Sequence, residues 1–211
     1  MQRPADAFLA IDLQNDFMPG GALAVAHGDE VVSVVNLLAS AFSNVVLTQD
    51  WHPADHVSFA ANHPGRKPFE TMTLPYGEQT LWPVHCVQGS PGAELYAGLK
   101  PTIKRARAIV RKGQNPAIDS YSAFVEADHK TKTGLAGYLR ELGVTRVYCC
   151  GLATDYCVAW SALDARAAGF EVALIDDASR AIDRNGSLAA AWQQLRAAGV
   201  MRVGVEEVLR G

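Results

Sequence analysis

The segment DWHPADH, from Asp50 to His56, combines two carboxylates with two imidazoles directly after the apolar run NVVLTQ. Such oxygen and nitrogen donors bind divalent metals, and they also cap helices or simply contact water. On an extended strand end Asp50 and His52 share one side, and a turn at Pro53 would keep both there. His85, in LWPVHCVQG, could supply a third ligand and leave positions open for water or substrate. The pattern indicates an open metal site, although exposed polar residues are the commoner explanation of a lone Asp-x-His.

A second candidate for chemistry is Cys157, in GLATDYCVAW, about one turn into a predicted helix that Thr154 or Asp155 would cap. The free amides and the positive end of the helix dipole favour the thiolate there, so we expect a lowered pKa for Cys157. The competing interpretation is a buried structural cysteine, because free cysteine is among the most buried residue types.

Asp12 follows the apolar run AFLAI, and Lys112 ends the run ARAIVRK. A carboxylate beside a strand costs free energy unless it is paired or caps a turn, and a lone lysine is usually solvated. In open α/β sheets, however, ligands bind beyond the carboxyl ends of the strands, where Asp12, Lys112, Cys157 and Asp50 would all meet. The first three would then be a proton carrier, an activating cation and a nucleophile.

The elements that would position these residues follow a regular alternation. Short strand-like runs (AFLAIDL, NVVLTQ, ARAIVRKG, VTRVYCCG, FEVALID and VMRVGV) alternate with segments of helical period (GDEVVSVVNLLASAF, TGLAGYLRELG, ATDYCVAWSALDARAAG and SLAAAWQQLRAAG). Three of the helical segments end at a glycine, namely Gly143, Gly169 and Gly199. The strands are apolar on both faces, which predicts a three-layer, doubly wound α/β fold. Its sheet would be mostly parallel, with about six strands and helices on both faces.

The alternation predicts a single domain over residues 1–211, interrupted by an excursion at about 50–107. The excursion has seven prolines and no clear helix before AELYAGL. It also contains four of the six histidines. We interpret it as a functional segment rather than a linker.

The composition narrows the class of partner. The net charge is −3, with 19 Lys and Arg against 22 Asp and Glu spread along the chain, so we expect neither nucleic acid nor membrane as a partner. A small-molecule substrate is expected instead, for a monomer or a homo-oligomer. The amino-terminal apolar run is too short for a signal peptide or a membrane span, which favours a cytoplasmic protein. The four cysteines are interpreted as reduced thiols.

Several motifs together resemble one family over nearly the whole chain. They are DLQNDFMPGGALAV, TQDWHPADHVSFA, LWPVHCVQGSPGAEL, VRKG followed by YSAF, and GLATDYCVAWSALDA. The chain is similar to the nicotinamidases, which are isochorismatase-like cysteine hydrolases. The order Asp, Lys, Cys is common to many members of that superfamily, whereas DWHP with WPVHCVQG is typical of the metal-binding nicotinamidases.

The resemblance implies a role for each candidate residue. The catalytic residues would be Asp12, Lys112 and Cys157, and the ligands of one divalent zinc, iron or manganese ion would be Asp50, His52 and His85. His56 would be an additional ligand or a neighbour of the ligands. A cis peptide at Leu152-Ala153 would place the amides of Ala153 and Cys157 as an oxyanion hole. Phe17, Trp82 and Tyr121 would line the pocket for the substrate ring.

The implied activity is hydrolysis of nicotinamide to nicotinate and ammonia in NAD salvage, and also of pyrazinamide, through a cysteine thioester. One alternative is a cysteine amidase of the same fold that acts on another amide, such as a ureido or carbamoyl compound. A second is a thiol redox or sensor protein that uses Cys149, Cys150 and Cys157, although adjacent cysteines on a strand point to opposite faces.

Overall fold

The computed structural model describes residues 4–210, which form an α/β fold around a six-stranded sheet. These residues contain eight strands, six in the main sheet and two in a separate hairpin. They are β1 (Asp6–Ile11), β2 (Asn44–Asp50), β3 (Thr71–Leu74), β4 (Gly77–Thr80), β5 (Ala106–Lys112), β6 (Arg146–Leu152), β7 (Glu171–Arg180) and β8 (Met201–Val203). The main sheet has the order β5-β2-β1-β6-β7-β8, and every pair in it is parallel. This confirms the predicted fold class, including its six strands.

The helices cover both faces of this sheet. They are α1 (Val31–Ala39), α2 (Lys100–Arg105), α3 (Leu135–Glu141), α4 (Ala159–Ala167), α5 (Ser187–Ala197) and α6 (Val205–Arg210). Alternate residues of β1 face opposite layers, so Phe8 packs with apolar residues of α1 and α6 while Leu9 packs with those of α3, α4 and α5. A sheet buried on both faces requires strands without polar alternation, and all seven residues of β2 are buried.

The strand order reverses between β1 and β6, and this reversal determines where the site lies. From β1 the chain moves outward through β2 to β5, and it then crosses back to β6 on the other side of β1. At such a switch point the connections leave the sheet in opposite directions and open a crevice at the carboxyl ends of the strands. Asp12 and Ala153 follow directly after β1 and β6 and therefore border this crevice.

The predicted glycine ends of three helices are confirmed. Gly143, Gly169 and Gly199 have φ values of 71°, 94° and 75°, in the left-handed region that closes a helix. The start of the helix that carries Cys157 differs from the prediction. It begins with a π-helical turn, Thr154–Val158, and its N-cap is Ala153, with no side-chain cap. Neither predicted cap is used, because the Asp155 carboxylate accepts the amides of residues 182 and 183 instead.

The excursion at about 50–107 has more structure than its composition indicated. It contains the antiparallel hairpin of β3 and β4, several short 3-10 turns and helix α2. AELYAGL forms only a 3-10 turn, Ala97–Leu99, before α2 begins at Lys100. The carboxyl-terminal helix α6 is a further element that the sequence pattern did not predict. Within residues 4–210, every helix is too short or too polar to cross a membrane.

Candidate active site

The crevice brings Asp12, Lys112 and Cys157 together from three strand ends. Asp12 follows β1, Lys112 is the last residue of β5, and Cys157 lies in the turn after β6. The Lys112 ammonium lies 2.8 Å from Asp12 Oδ2 and 3.5 Å from Cys157 Sγ. All three side chains are buried, with exposures between 0% and 6%, so the solvated interpretation of Lys112 is wrong.

The Asp12 carboxylate is oriented by a neighbouring strand. The Thr48 hydroxyl donates to Asp12 Oδ1 at 2.5 Å, and the Asp12 amide donates to the Thr48 oxygen at 3.1 Å. Because the carboxylate binds Thr48 and Lys112 rather than the amides that follow it, Asp12 is not a turn cap. Its Oδ2 lies at ion-pair distance from Lys112, yet it accepts no well-directed hydrogen bond within residues 4–210. This buried oxygen is therefore free to accept a proton from a neighbouring group.

The charges of the cluster favour a neutral thiol at rest. Burial raises the pKa of Cys157 well above its ordinary value; Lys112 opposes this, while the carboxylates of Asp12 and Asp50 add to it. Burial likewise raises the pKa of Asp12 against the opposing effect of Lys112. The expectation of a lowered thiol pKa at the helix start is thus wrong, because desolvation, together with the two nearby carboxylates, raises it against the effect of Lys112. The thiol needs a base to ionise, and Asp12 is the adjacent candidate.

Asp50 joins this cluster to the imidazoles. Its Oδ1 accepts a hydrogen bond from the Lys112 ammonium, while its Oδ2 lies 3.6 Å from His52 Nε2 and 3.7 Å from His85 Nε2. Burial opposes the charge on Asp50, but Lys112 and then His52 hold its pKa well below the usual range. Asp50 is therefore an anion shared between two groups of functional residues.

The geometry around Asp50, His52 and His85 fits a metal ion. His52 Nδ1 lies 2.9 Å from the Gly113 carbonyl oxygen, and His85 Nδ1 lies 2.8 Å from that of Pro83. A carbonyl only accepts hydrogen bonds, so each Nδ1 carries a proton, and in the neutral imidazole each Nε2 then offers the lone pair that a metal ion needs. One ligand atom from each of the three buried side chains lies within 4.8 Å of the others. This arrangement, with carbonyls holding the outer nitrogens, is typical of histidines that bind metals.

His56 is buried next to this set, but both of its nitrogens are engaged. Its Nε2 lies 3.2 Å from the Ile118 carbonyl oxygen, and its Nδ1 lies 2.7 Å from the Ser58 hydroxyl. Burial, followed by the neighbouring His52, lowers the pKa of His56 to about 4, so the ring is neutral. In this arrangement the His56 ring packs beside that of His52, with centroids 4.2 Å apart, and its role as a further ligand stays a prediction.

A cavity lined by both Cys157 and the two histidines His52 and His85 connects the thiol with the proposed metal ligands. The predicted ring-binding residues Phe17, Trp82 and Tyr121 all line it. The indole N–H of Trp82 donates to the Tyr121 hydroxyl at 3.0 Å, which fixes the two rings relative to each other. The cis peptide expected at Leu152-Ala153 is present, and Ala153 also lines the cavity.

Four further lining residues escaped the sequence analysis. Tyr156 packs edge-on against Trp82, with ring centroids 4.9 Å apart. Asp119 is buried, and its Oδ2 accepts a hydrogen bond of 2.6 Å from Gln79 on β4. Tyr156 adjoins Cys157 in the sequence and could have been found by its position, whereas Asp119 lies in a loop without any pattern. Leu23 and Ile182 complete this apolar side of the cavity.

Two of the other cysteines, Cys149 and Cys150, do not line this cavity. Cys149 and Cys150 are buried on opposite faces of the sheet, in different apolar clusters, and both are free thiols. Burial raises the pKa of each. This placement argues against a redox pair.

The comparisons of this chain with known proteins agree on one family. The model of the isochorismatase domain matches residues 6–207. The nicotinamidase of Acinetobacter baylyi is 53% identical over 203 residues, which cover 96% of this chain and 94% of that protein. The structure of a nicotinamidase and pyrazinamidase from Acinetobacter baumannii superposes with a TM-score of 0.97 at 54% identity, covering 99% of this chain and 100% of that one.

Two similar structures contain ligands. A protein from L. infantum in complex with nicotinate has a TM-score of 0.84 and 40% identity, covering 98% of this chain and 96% of that one. The pyrazinamidase of Pyrococcus horikoshii in complex with zinc has a TM-score of 0.76 and 37% identity, covering 95% and 99% of the two chains. Both share the fold described above.

Proposed function

The chain belongs to the isochorismatase family, and we propose that it hydrolyses nicotinamide to nicotinate and ammonia through a thioester on Cys157. The observation that carries this proposal is one cavity lined both by Cys157, which adjoins the buried pair of Lys112 and Asp12, and by the set of Asp50, His52 and His85. The first set suits attack on a carboxamide, and the second suits a ring that carries a donor atom. The nicotinamidase relatives support the same substrate.

In the first step the Cys157 thiol transfers its proton to Asp12 Oδ2, and its sulfur attacks the carboxamide carbon. The carbonyl π electrons move to oxygen, and a tetrahedral adduct forms. The amides of Ala153 and Cys157 are the proposed donors to this oxyanion, because both lie in the turn that carries the nucleophile. Lys112 keeps its positive charge, since Asp12 and Asp50 raise its pKa well above normal despite burial.

In the second step Asp12 returns the proton to the amide nitrogen, the carbon–nitrogen bond breaks, and ammonia leaves. Asp12 then accepts a proton from water as the water oxygen attacks the thioester. Breakage of the carbon–sulfur bond restores the thiol with the proton that Asp12 held and releases nicotinic acid, which loses its carboxyl proton to water and becomes nicotinate. The Thr48 hydroxyl and the Lys112 ammonium keep the carboxylate aimed at the reacting atoms throughout.

The proposed metal ligands are Asp50, His52 and His85, whose three donor atoms face one point. A divalent ion held there would supply a Lewis acid for the pyridine nitrogen and so orient the ring with its carboxamide toward Cys157. Zinc, iron and manganese all accept such donors, and the zinc in the Pyrococcus horikoshii pyrazinamidase is one precedent. Phe17, Trp82 and Tyr121 would contact the faces and edges of the ring.

A second substrate follows from the same reasoning. Pyrazinamide carries the same carboxamide on a ring with a nitrogen donor, and relatives with pyrazinamidase activity in their names support it. A role in NAD salvage and a cytoplasmic location stay predictions that accompany the proposed substrate. Whether the chain is a monomer or a homo-oligomer likewise stays open to measurement.

Ammonia release separates this proposal from the alternative amidase. The purified protein is assayed with nicotinamide, pyrazinamide, benzamide, an aliphatic amide and a carbamoyl compound at matched concentrations. We expect the highest kcat/KM with the two nitrogen-containing rings. Preference for the carbamoyl or aliphatic compound would favour the alternative. Activity that survives the loss of Asp12 would favour the redox interpretation instead.

A further inference from the structure

The segment directly after Asp12 contacts Asp50 and the residue next to His85, in the proposed metal-ligand set, without supplying a ligand itself. Gln14 is completely buried, and Asp16 is half-buried in a 3-10 turn, Asn15–Phe17. Neither lines the cavity, and neither has a part in the proposed chemistry. Their side chains hydrogen-bond the main chain of residues in and beside the ligand set.

Gln14 holds the main chain of Asp50. The Asp50 amide donates to Gln14 Oε1 at 2.8 Å, and Gln14 Nε2 donates back to the Asp50 carbonyl at 2.8 Å. The same Nε2 donates to the Ala93 carbonyl at 2.9 Å. Backbone pairing of β1 with β2 reaches only Ala10 and Leu47, so the Gln14 side chain continues the ladder where the strand has ended.

Asp16 holds the residue after His85. Its Oδ2 accepts the amide of Cys86 at 2.7 Å. Cys86 has a φ of 46°, an uncommon value for a residue with a side chain, and its carbonyl accepts the amide of His52 at 3.0 Å. Asp16 therefore holds Cys86, which follows His85 in the chain and hydrogen-bonds His52, and these are two of the three proposed ligands.

We propose that Gln14 and Asp16 are positioning residues that set the spacing of Asp50, His52 and His85 for the metal ion. A buried amide that makes three hydrogen bonds and a carboxylate that accepts a backbone amide have few alternative arrangements. Asp50 ends β2, whereas His52 and His85 come from two distant parts of the excursion. Besides the contacts of Gln14 and Asp16, these parts are held by the isolated bridge of His52 with Val87 and by the hydrogen bond of His52 to the Gly113 carbonyl. Outer partners of metal ligands typically change affinity by roughly 10- to 100-fold when they are removed.

This inference rests on the proposed metal site but not on the proposed substrate, so zinc alone serves as the probe. Metal-free wild type, Gln14→Leu, Asp16→Ala and Asp16→Asn are titrated with zinc against a chromophoric chelator. We expect zinc affinity to fall by roughly 10- to 100-fold in Gln14→Leu and Asp16→Ala. Asp16→Asn should lose less, because its amide oxygen can still accept the Cys86 N–H.

The matched control is Asn15→Ala. Asn15 lies between the two residues and donates to the Pro91 carbonyl at 2.8 Å, so it ties the same turn to the excursion without touching a ligand residue. Its zinc affinity should equal that of the wild type. The Tm of each metal-free protein and the rate of alkylation of Cys157, followed by mass spectrometry, report whether the fold and the thiol are intact.

Unchanged zinc affinity in both Gln14→Leu and Asp16→Ala would overturn the inference, as would an equal loss in Asn15→Ala. If Gln14→Leu does not fold, the comparison of Asp16→Ala with Asp16→Asn and Asn15→Ala decides. A wild type that does not bind zinc overturns both the metal site and this inference. A wild type that binds zinc but leaves nicotinamide intact overturns the proposed substrate alone.

Discussion

The two halves of the site are built in different ways. The thiol half takes Asp12, Lys112 and Cys157 from the carboxyl ends of β1, β5 and β6 in one parallel sheet. The metal half, named for the ion that we propose it binds, takes His52 and His85 from irregular parts of the excursion, where turns and side-chain hydrogen bonds hold them. Parallel strands that end side by side bring the residues after them together without further contacts. Residues in irregular segments need additional hydrogen bonds to hold them in place.

Asp50 is where the two halves meet, because its two oxygens face Lys112 and the histidines respectively. If the halves are separate in function, thiol chemistry and ring binding should respond to different mutations. If they are one unit through Asp50, every mutation should affect both.

The largest effect is expected for Cys157→Ala. Loss of the nucleophile should lower kcat for nicotinamide by roughly 10⁴-fold or more. The side chain faces the cavity, so the Tm should change little and zinc should still bind. Ammonia release and the zinc titration measure the two halves in the same protein. A variant that keeps more than a small fraction of wild-type kcat would remove Cys157 from the mechanism.

Asp12→Asn should be the next most damaging change, because it keeps the size of the side chain but removes the proton carrier. We expect kcat to fall by roughly 10²- to 10⁴-fold, with KM much less affected. Alkylation of Cys157 should also slow, since the buried thiol loses its base. Steady-state kinetics and iodoacetamide labelling test this. An unchanged kcat across neutral pH would contradict the assignment.

His52→Ala tests the metal half. We expect zinc affinity to fall by roughly 100-fold or more and nicotinamide binding to weaken, while Cys157 still alkylates at a near wild-type rate. Benzamide has no ring nitrogen, so it should be a poor substrate for the wild type and lose little further in the variant. Equal losses of kcat/KM for nicotinamide and benzamide would mean that the histidines have a structural role only.

Gly113→Ala should have a smaller effect on the same half. A Cβ at Gly113 would lie 2.3 Å from His52 Cε1, and φ is +66°, so both the ring and the backbone would have to move. We expect a loss of roughly tenfold in zinc affinity. Gly65→Ala is the control, because Gly65 has a φ of +78° and no atom within 4 Å of the added carbon. Similar losses in the two variants would show that backbone strain, rather than contact with His52, is responsible.

The smallest effect is expected for Cys86→Ala. Cys86 is buried beside His85, but its contacts with Asp16 and His52 are made by the main chain, which alanine keeps. Removing the sulfur should cost about 1 kcal/mol of unfolding free energy and leave kcat and zinc affinity nearly unchanged. Chemical denaturation and the two assays measure this. A large loss of kcat would give this second thiol a role in the reaction.

The parallel sheet and its helices could be predicted because their pattern is local. A strand buried on both faces, such as β1, is a nearly continuous apolar run, and helices must end where a glycine closes them, as at Gly143. The convergence of Asp12, Lys112 and Cys157 also followed from sequence, because residues after parallel strands share one edge. The roles of proton carrier, cation and nucleophile were predicted from residue types and positions, and the resemblance added the oxyanion hole and the ring-binding residues.

Only the tertiary structure decided the protonation of the site and which distant residues hold its side chains in place. Cys157 sits at a helix start, which favours a thiolate, but the chain folds two carboxylates beside it and excludes water, so the pKa rises instead. The contacts of Gln14 with Asp50 and of Asp16 with Cys86 span 36 and 70 residues. A sequence pattern shows only the periodicity within a single helix or strand. The local field and long-range hydrogen bonds depend on which distant residues burial brings together, because electrostatic interactions strengthen only where water is removed.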